Sequence, residues 1–178
     1  AMRDAVAWWL AVQLFGAAAL PITLVLFRRL PDRGVFFARA IGLLVPTYVT
    51  WVLASLHVVP YGTFSTPIVA TVLFAATLGA TWRKKLGLWP ELAALWRARG
   101  AYLIVGELLF VALFAGWCWL RAYSPDVAGT EKFMDMAFMN AINRSQYFPP
   151  YDPWLSGATI NYYYLGHLMF AALIRVTG

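Results

Sequence analysis

The chain has 178 residues, of which 62% are hydrophobic, 17% aromatic and only 12% charged. Its net charge is +6 and its mean hydropathy is +0.66. Soluble domains carry roughly 25% charged residues, so this composition excludes a soluble enzyme and a disordered tail. The single cysteine, Cys118, also excludes a disulfide framework and a cysteine-based zinc site. We therefore predict an all-α fold, a polytopic transmembrane helical bundle.

Five apolar segments are candidate membrane spans, because about 20 apolar residues cross roughly 30 Å of hydrocarbon. They run from Ala5 to Phe27, Ala40 to Val59, Thr66 to Trp82, Ala101 to Leu120 and Thr159 to Ile174. The first four make residues 1–120 a unit of four transmembrane helices. Residues 159–178 are expected to hold the fifth, the shortest, which is cut off where this chain stops.

The positions of the basic residues predict the orientation, because cytoplasmic loops of membrane proteins are rich in Lys and Arg. Residues 28–39 and 83–100 hold nine of the fourteen basic residues, whereas residues 121–158 hold three basic and four acidic ones. We expect the two basic loops in the cytoplasm, and the N-terminus and residues 121–158 outside the cell (inner) membrane. Topology and anionic lipid headgroups then explain the positive charge, so nucleic acid is not an expected partner.

The second basic loop contains a stretch, residues 86–99, with a helical pattern of its own. Leu88, Leu92, Leu95 and Trp96 fit one helical face, and Trp favours the level of the lipid headgroups. We predict a short helix on the inner membrane surface that serves as an interfacial linker.

Glu107 is the one acid that falls inside a predicted span. A carboxyl group at that depth is expected to be protonated or paired. Thr23, Thr47 and Tyr48 fall at a similar depth and are the expected partners. Because a proton relay or transport path would need several such groups, we favour a structural role for Glu107.

The external segment 121–158 is predicted to contain an amphipathic helix from about Glu131 to Ser145. Thr130 is the expected N-cap, and the helix is expected to stop before Pro149-Pro150. The helix would lie on the outer membrane surface or pack on the spans.

Two acids of this helix, Glu131 and Asp135, lie four residues apart and therefore share a face. Paired carboxylates can act as a general base, bind a divalent cation or hold a hydroxylated substrate. A simpler alternative is that Glu131 complements the helix dipole while Asp135 pairs with Lys132.

Asp152 lies in a proline-rich segment just before the fifth predicted span. Prolines at 149, 150 and 153 stiffen the backbone and disfavour helix, so Asp152 is presented from a fixed turn. The alternative is that its side chain only closes an Asx-type turn.

A polar and aromatic stretch opens the fifth predicted span. On a helix Tyr163 would meet His167 at i,i+4, and Asn161 would meet Tyr164 at i,i+3. Tyrosines alone would indicate an aromatic belt at the headgroups, but Asn161 and His167 point to a cavity or a partner. With no second histidine at a suitable spacing, a histidine metal site is not predicted.

Three segments together resemble a known family. The run from Pro125 to Asp135, the segment Pro149 to Trp154 and the segment Ile160 to Tyr164 closely resemble the uncharacterised YYY membrane proteins of Chloroflexi-type bacteria and archaea. That family is named for its Tyr-Tyr-Tyr tripeptide. The resemblance covers nearly the whole chain and implies an N-terminal fragment, since family members are much longer.

The YYY proteins in turn are similar to the glycosyltransferase C fold of protein O-mannosyltransferases and oligosaccharyltransferases. This resemblance implies transfer of a sugar from a polyprenyl-phosphate carrier, the donor substrate, to an acceptor on the outer face. Asp135 would be the general base that deprotonates the acceptor hydroxyl. Glu131 or Asp152 would assist or bind a divalent cation, for which Glu131 and Asp135 are the possible ligands.

The resemblance also implies binding residues. The carrier or acceptor groove would be lined by Asn161, Tyr163, Tyr164 and His167, and the phosphate would be bound by Arg121 or Arg144. The sequence departs from the mannosyltransferases in two ways: Met136 stands where they have a second acid, and the histidine of their later Asp-x-His-Pro-Pro segment is absent.

The alternative function is a non-catalytic membrane subunit. It would scaffold or stabilise a larger complex with other membrane subunits or with the C-terminal part of its own chain. In that case the acids are expected to pair with protein side chains and to line no cavity.

Overall fold

A computed structural model describes residues 2–83 and 87–178 of the chain. These residues form six helices: α1 (Met2–Leu26), α2 (Ala38–Ser55), α3 (Ser65–Arg83), α4 (Leu88–Tyr123), α5 (Lys132–Arg144) and α6 (Leu165–Thr177). Within the described ranges, β-structure is limited to a single bridge between Tyr151 and Thr159. The predicted all-α fold is confirmed.

Four helices are long and apolar enough to cross a membrane: α1, α2, α3 as far as Trp82, and α4. They correspond to the first four predicted spans. The fifth begins later than predicted, because residues 159–164 are not helical and α6 starts at Leu165. Its 13 residues measure about 20 Å at 1.5 Å per residue, which is shorter than the hydrocarbon layer.

Helices α1, α2 and α3 pack against one another and form the body of the bundle. A Cβ atom on Gly42 would lie 1.9 Å from the carbonyl oxygen of Phe15, so only glycine lets α2 approach the α1 backbone this closely. The prolines within these helices, Pro21 and Pro46, are both buried. They lie in helix–helix contacts, as expected of prolines tolerated in membrane helices.

Helix α4 makes few contacts with the rest of the described chain. Its backbone departs from helical geometry at Arg99 (φ −139°, ψ 19°), which separates residues 88–98 from the apolar portion that follows. The break agrees with a separate short helix before the span. The first residue of that predicted helix, Leu86, and the basic residues Lys84 and Lys85 lie outside the described residues.

Two ion pairs attach α4 to the segment that joins α1 and α2 and to the first turn of α2. Arg33 pairs with Glu91 before the break in α4, and Arg39 pairs with Glu107 after it. Both pairs therefore connect elements that share little packing, one on each side of Arg99.

Glu107 has different partners from those predicted. Its carboxylate accepts hydrogen bonds from Arg39 and from Gln13 Nε2 at 2.9 Å, and Arg39 Nε donates to Gln13 Oε1 at 2.9 Å. Thr23, by contrast, donates to a carbonyl of its own helix. Arg39 belongs to the first turn of α2 rather than to a loop, so the structural role of Glu107 is carried by charge pairing between helices.

Helices α5 and α6 run parallel to each other, because the start of α5 contacts the start of α6 and the two ends also meet. Asp135 contacts His167 in the first turns, and Asn143 contacts Arg175 near the ends. Helix α6 also packs against α1 and α2. Helix α5 is thereby held against the bundle through α6.

The predicted bounds of α5 are confirmed to within one residue at each end, but its predicted cap is wrong. Thr130 has a left-handed backbone (φ 48°), and the N-cap position is taken by Glu131, whose side chain makes no capping hydrogen bond. Packing of Phe138 and Ile142, both buried, is what fixes the helix in place.

Candidate functional site

The first turns of α5 and α6 bring an acid and a histidine together. Asp135 Oδ1 lies 2.9 Å from His167 Nε2, although 32 positions separate the two residues in sequence. The His167 side chain is 16% exposed, whereas that of Asp135 is 45% exposed. The pair therefore has one enclosed member and one that solvent or a substrate can reach.

The surroundings of His167 determine which of its nitrogens carries the proton. Nδ1 is buried and has no hydrogen-bond partner among the described residues, whereas Nε2 faces a carboxylate oxygen. A proton on Nδ1 would be a buried, unpaired donor, so we assign the tautomer with the proton on Nε2. His167 thus donates to Asp135 and has no second nitrogen open to a substrate.

Phe138 joins this pair to a group of aromatic rings. The ring of Phe138, one turn after Asp135 and buried, meets His167 edge-on with a centroid distance of 5.4 Å. It also contacts Trp154 at 5.6 Å and Tyr162 at 5.8 Å. One buried ring therefore fixes the positions of α6 and of two loop aromatics relative to Asp135.

The tyrosine triplet precedes α6 instead of lying on it, so the predicted i,i+4 and i,i+3 pairings are wrong. Tyr162 and Tyr163 stack at 4.1 Å, and the Tyr162 hydroxyl donates to the Tyr163 hydroxyl at 2.7 Å. This hydrogen bond, followed by desolvation and by electrostatic interaction with Tyr163, Glu131 and Asp135, raises the pKa of Tyr162 to about 12. Tyr162 is therefore a neutral donor at physiological pH.

The third tyrosine of the triplet has a structural role. Tyr164 turns towards the bundle, and its hydroxyl accepts a hydrogen bond from Trp51 Nε1 at 2.9 Å. Burial raises the pKa of this phenol. Tyr164 thus anchors the start of α6 to α2 and does not join the pair formed by Asp135 and His167.

The acids at 131 and 135 do not form a metal site with the residues described. No group of three or more His, Cys, Asp or Glu side chains able to hold a metal lies within residues 2–83 and 87–178. Asp135 is already bonded to His167 Nε2, which in the assigned tautomer carries a proton and cannot ligate. The donor set therefore does not fit a divalent cation, and we derive no metal-dependent step.

The alternative predicted for Asp135, an ion pair with Lys132, is also not formed. Lys132 Nζ donates instead to the backbone carbonyl of Asp126 at 3.4 Å. His167 is the residue that takes the place of that partner.

Asp152 forms the Asx-type turn that was the alternative to a site role. Its Oδ1 accepts hydrogen bonds from the backbone N–H groups of Trp154 at 2.8 Å and Leu155 at 3.0 Å. The turn fixes Trp154 beside Phe138. Asp152 therefore supports the aromatic group through the backbone.

The other predicted binding residues lie apart from the Asp135–His167 pair or contact nothing that ties them to it. Arg121 donates to the carbonyl of Ser124 at the end of α4. Arg144 is exposed in the last turn of α5, nine residues after Asp135, or about 13 Å along the helix. Asn161 is exposed. None of the three is brought to Asp135 by a described contact.

Arg175 is an important residue that the sequence analysis missed. It donates to Asn143 Oδ1 at 3.3 Å and to the Asn143 carbonyl, and its guanidinium lies 4.6 Å from the ring centre of Tyr61. The available signal is a matched spacing: Asp135 and Asn143, like His167 and Arg175, are eight residues apart. If α5 and α6 pack in parallel, this equal spacing places Asp135 beside His167 and Asn143 beside Arg175.

Comparison with known proteins gives one match. No curated protein and no solved structure matches the chain. The profile of a family described as an uncharacterized membrane protein (DUF2298) matches residues 45–178, which is more than half of the sequence. These residues include most of α2 and all of α3 to α6. The chain therefore belongs to the DUF2298 family of membrane proteins.

Proposed function

We propose that this membrane protein is part of a glycosyltransferase that moves a sugar from a polyprenyl-phosphate carrier to an acceptor hydroxyl. The single observation that carries the proposal is the pair formed by Asp135 and His167 at 2.9 Å, with the carboxylate half-exposed. The reaction class comes from a resemblance: the segments around Asp135 and the tyrosine triplet resemble the YYY proteins, which in turn are similar to the glycosyltransferase C fold.

In the proposed reaction Asp135 is the general base. The acceptor oxygen forms a bond to the anomeric carbon of the donor sugar as the bond from that carbon to the phosphate oxygen breaks. The phosphate leaves with the electron pair, and the acceptor proton passes to the carboxylate of Asp135. No metal and no redox partner is needed to balance this step.

His167 acts on the reaction through Asp135. Its Nε2–H holds one carboxylate oxygen, so the carboxylate is oriented before the substrate arrives. In serine hydrolase triads the carboxylate holds Nδ1 and leaves Nε2 free for the nucleophile. Here Nε2 faces the carboxylate and Nδ1 is buried, so the proton is accepted by the acid and not by the histidine.

The test is Asp135→Asn in the full-length protein, reconstituted in vesicles with a labelled lipid-linked sugar donor. We expect transfer to fall by about 100-fold or more, the usual contribution of a general base, while thermal stability stays close to wild type. Asp126→Asn is the matched control, because Asp126 is an exposed acid of the same segment. Undiminished transfer by a folded Asp135→Asn protein would reject the proposal.

A second candidate function, a non-catalytic membrane subunit, is favoured by one observation. The best-defined cavities among the described residues lie between α1, α2, α3 and α4, and Asp135 does not line them. The largest, of about 580 Å³, is an apolar groove between α1 and α4. A partner that copurifies stoichiometrically with both wild type and Asp135→Asn, without sugar transfer by either, would support this function instead.

A further inference from the structure

Three aromatic side chains beside Asp135 are exposed yet fixed in position. Trp154 is 61% exposed, Tyr163 79% and Tyr162 39%. The rings of Trp154 and Tyr162 each contact the buried ring of Phe138, and Tyr163 stacks on Tyr162. Exposing such rings forgoes the free energy that their burial would provide. A group of them in one place is typical of a binding surface.

The backbone and the ring contacts hold this group rigidly. The Asx turn at Asp152 fixes the main chain of Trp154, and the Trp154 ring meets Phe138 edge-on. Tyr163 is held by stacking on Tyr162 and by the hydrogen bond between their hydroxyl groups. Rigid aromatic anchors lose little conformational entropy on binding, which suits recognition of a small rigid ligand.

The charges around this group select the kind of ligand. Glu131 and Asp135 both act electrostatically on Tyr162, so the surface is acidic on the side that faces α5. Arg144, a cation proposed to bind phosphate, is at the other end of α5. Two carboxylates repel a phosphate group but accept hydrogen bonds from hydroxyl groups.

A neutral sugar ring matches these features. A pyranose presents an apolar face of C–H groups to an aromatic ring and hydroxyl groups around its edge, so it can use both the rings and the carboxylates. The donor sugar is bonded directly to phosphate, which the acidic side disfavours. The acceptor carries only hydroxyl groups at the reacting end.

We propose that Trp154 and the stacked pair Tyr162–Tyr163 form a stacking subsite for a neutral sugar ring of the acceptor, next to Asp135. The inference rests on the proposed function in one respect, because the bound sugar is an acceptor only if the protein transfers sugars. The subsite itself rests on the exposure, fixation and charge of these residues. It identifies the acceptor of the transfer as a carbohydrate.

The test measures binding in the absence of any donor. The full-length protein in nanodiscs is titrated with a panel of neutral methyl pyranosides by saturation-transfer NMR and calorimetry. We expect at least one pyranoside to bind, and Trp154→Ala to weaken it by about tenfold, the loss expected for one aromatic stacking contact. Trp119→Ala is the matched control, because Trp119 is also 61% exposed but lies on α4.

Further variants keep the outcome decisive. Trp154→Phe retains a ring and is expected to restore most of the affinity, and Tyr163→Leu, at a highly exposed position, replaces Trp154→Ala if that protein does not fold. Binding equal to wild type in Trp154→Ala or Tyr163→Leu, or no binding of any pyranoside to wild type, overturns the subsite. So does quenching of Trp154 by lipid-borne quenchers with no pyranoside effect, which would place these rings in the headgroup layer.

The subsite and the catalytic proposal can fail separately. Asp135→Asn is expected to retain pyranoside binding within about threefold, since one hydrogen bond to a neutral group contributes little net free energy. Retained binding with lost transfer supports both proposals. Transfer that survives Asp135→Asn rejects the catalytic base while leaving the binding result to decide on the subsite.

Discussion

Within residues 2–83 and 87–178, two carboxylates, Glu107 and Asp135, have a cationic or ionisable partner on another helix, and their surroundings differ. Glu107 lies in a cluster of polar side chains, the Arg39 cluster, where Arg39 bonds both Glu107 and Gln13 and also lies 4.1 Å from the ring centre of Phe110. Among the described residues, Asp135 has one side-chain partner, His167, at 2.9 Å. The two carboxylates are similarly exposed, Glu107 at 40% and Asp135 at 45%, so they differ in their number of protein partners and not in exposure.

This difference fits a structural role for Glu107 and the role in substrate binding and catalysis that we propose for Asp135. The Arg39 cluster joins α1, α2 and α4, and α4 has little other packing within the described residues. In an apolar medium, polar groups that bond each other can supply the association that the hydrophobic effect does not provide. The Asp135–His167 pair lies on α5 and α6, which already pack through buried apolar residues. This polar contact is therefore not needed to hold the two helices together.

The largest effect on stability is expected when the negative charge of Glu107 is removed from the Arg39 cluster. Glu107→Ala leaves Arg39, whose side chain is 16% exposed, without its counter-charge, and we expect a loss of about 2 kcal/mol in the free energy of unfolding, less than for a fully buried pair because the Glu107 side chain is 40% exposed. Denaturation in mixed detergent micelles, followed by circular dichroism, measures this value. Asp135→Asn is expected to change it by less than about 1 kcal/mol, because Asp135 bonds a single side chain and lies on a helix that also packs through the buried Phe138 and Ile142.

The double variant Arg39→Met/Glu107→Leu is the control for this prediction. It removes both charges and keeps apolar volume, so it is expected to recover most of the stability lost in Glu107→Ala. If Glu107→Ala and Asp135→Asn lower stability equally, the distinction between a structural and a ligand-binding carboxylate is wrong.

Two tyrosines extend the comparison to pH, because both have a pKa raised to about 12 for different reasons. For Tyr61 the cause is burial, opposed in part by the positive charge of Arg175. The folded protein therefore holds this proton more tightly than the unfolded chain, whose phenol has a pKa of about 10. The stabilisation is complete below pH 10 and is lost as the pH rises towards 12.

We expect Tyr61 to contribute a loss of about 2 kcal/mol in the free energy of unfolding between about pH 9 and about pH 12. Tyr61→Phe is expected to remove this part of the pH dependence. It should not destabilise at neutral pH, because the buried hydroxyl has no hydrogen-bond partner within the described part of the chain. Parallel unfolding curves of the two proteins across this pH range measure the difference. Identical pH dependence would exclude Tyr61 as its source.

Much of the fold follows from local properties of the sequence. Apolar length and hydropathy predict α1 to α4, and the spacing of apolar residues with the following prolines predicts α5. The start of α6 does not follow, because residues 161–164 lack a residue that breaks a helix. Tertiary contacts keep them out of the helix: Tyr164 bonds Trp51, 113 positions away in sequence, and Ile160 N–H donates to the Pro150 carbonyl.

The sequence predicts Asp135 and His167 as site residues but does not predict that they contact each other. Carboxylates are scarce in this composition, which singles out Asp135, and a histidine near an apolar helix singles out His167. Their contact depends on the parallel packing of α5 on α6, which no local pattern encodes. For the same reason the partners of Glu107, Gln13 and Arg39, were not found: both contacts span more than 60 positions in sequence.

The smallest expected effect tests whether the rings of Tyr162 and Tyr163 belong to an exposed surface. The pKa of Tyr162 is raised first by its hydrogen bond to Tyr163, and only then by desolvation and neighbouring charges. Tyr163→Phe removes that bond, so we expect the pKa of Tyr162 to fall from about 12 towards 10 with no change in thermal stability. Ultraviolet difference titration against Tyr162→Phe isolates this phenol among the nine tyrosines of the chain. Tyr164→Phe is the control, because it removes a hydroxyl bonded to Trp51 and is expected to lower stability slightly while leaving the Tyr162 titration in place. An unchanged Tyr162 titration in Tyr163→Phe, or a large loss of stability, would mean that the two rings belong to the packed core and not to an open surface.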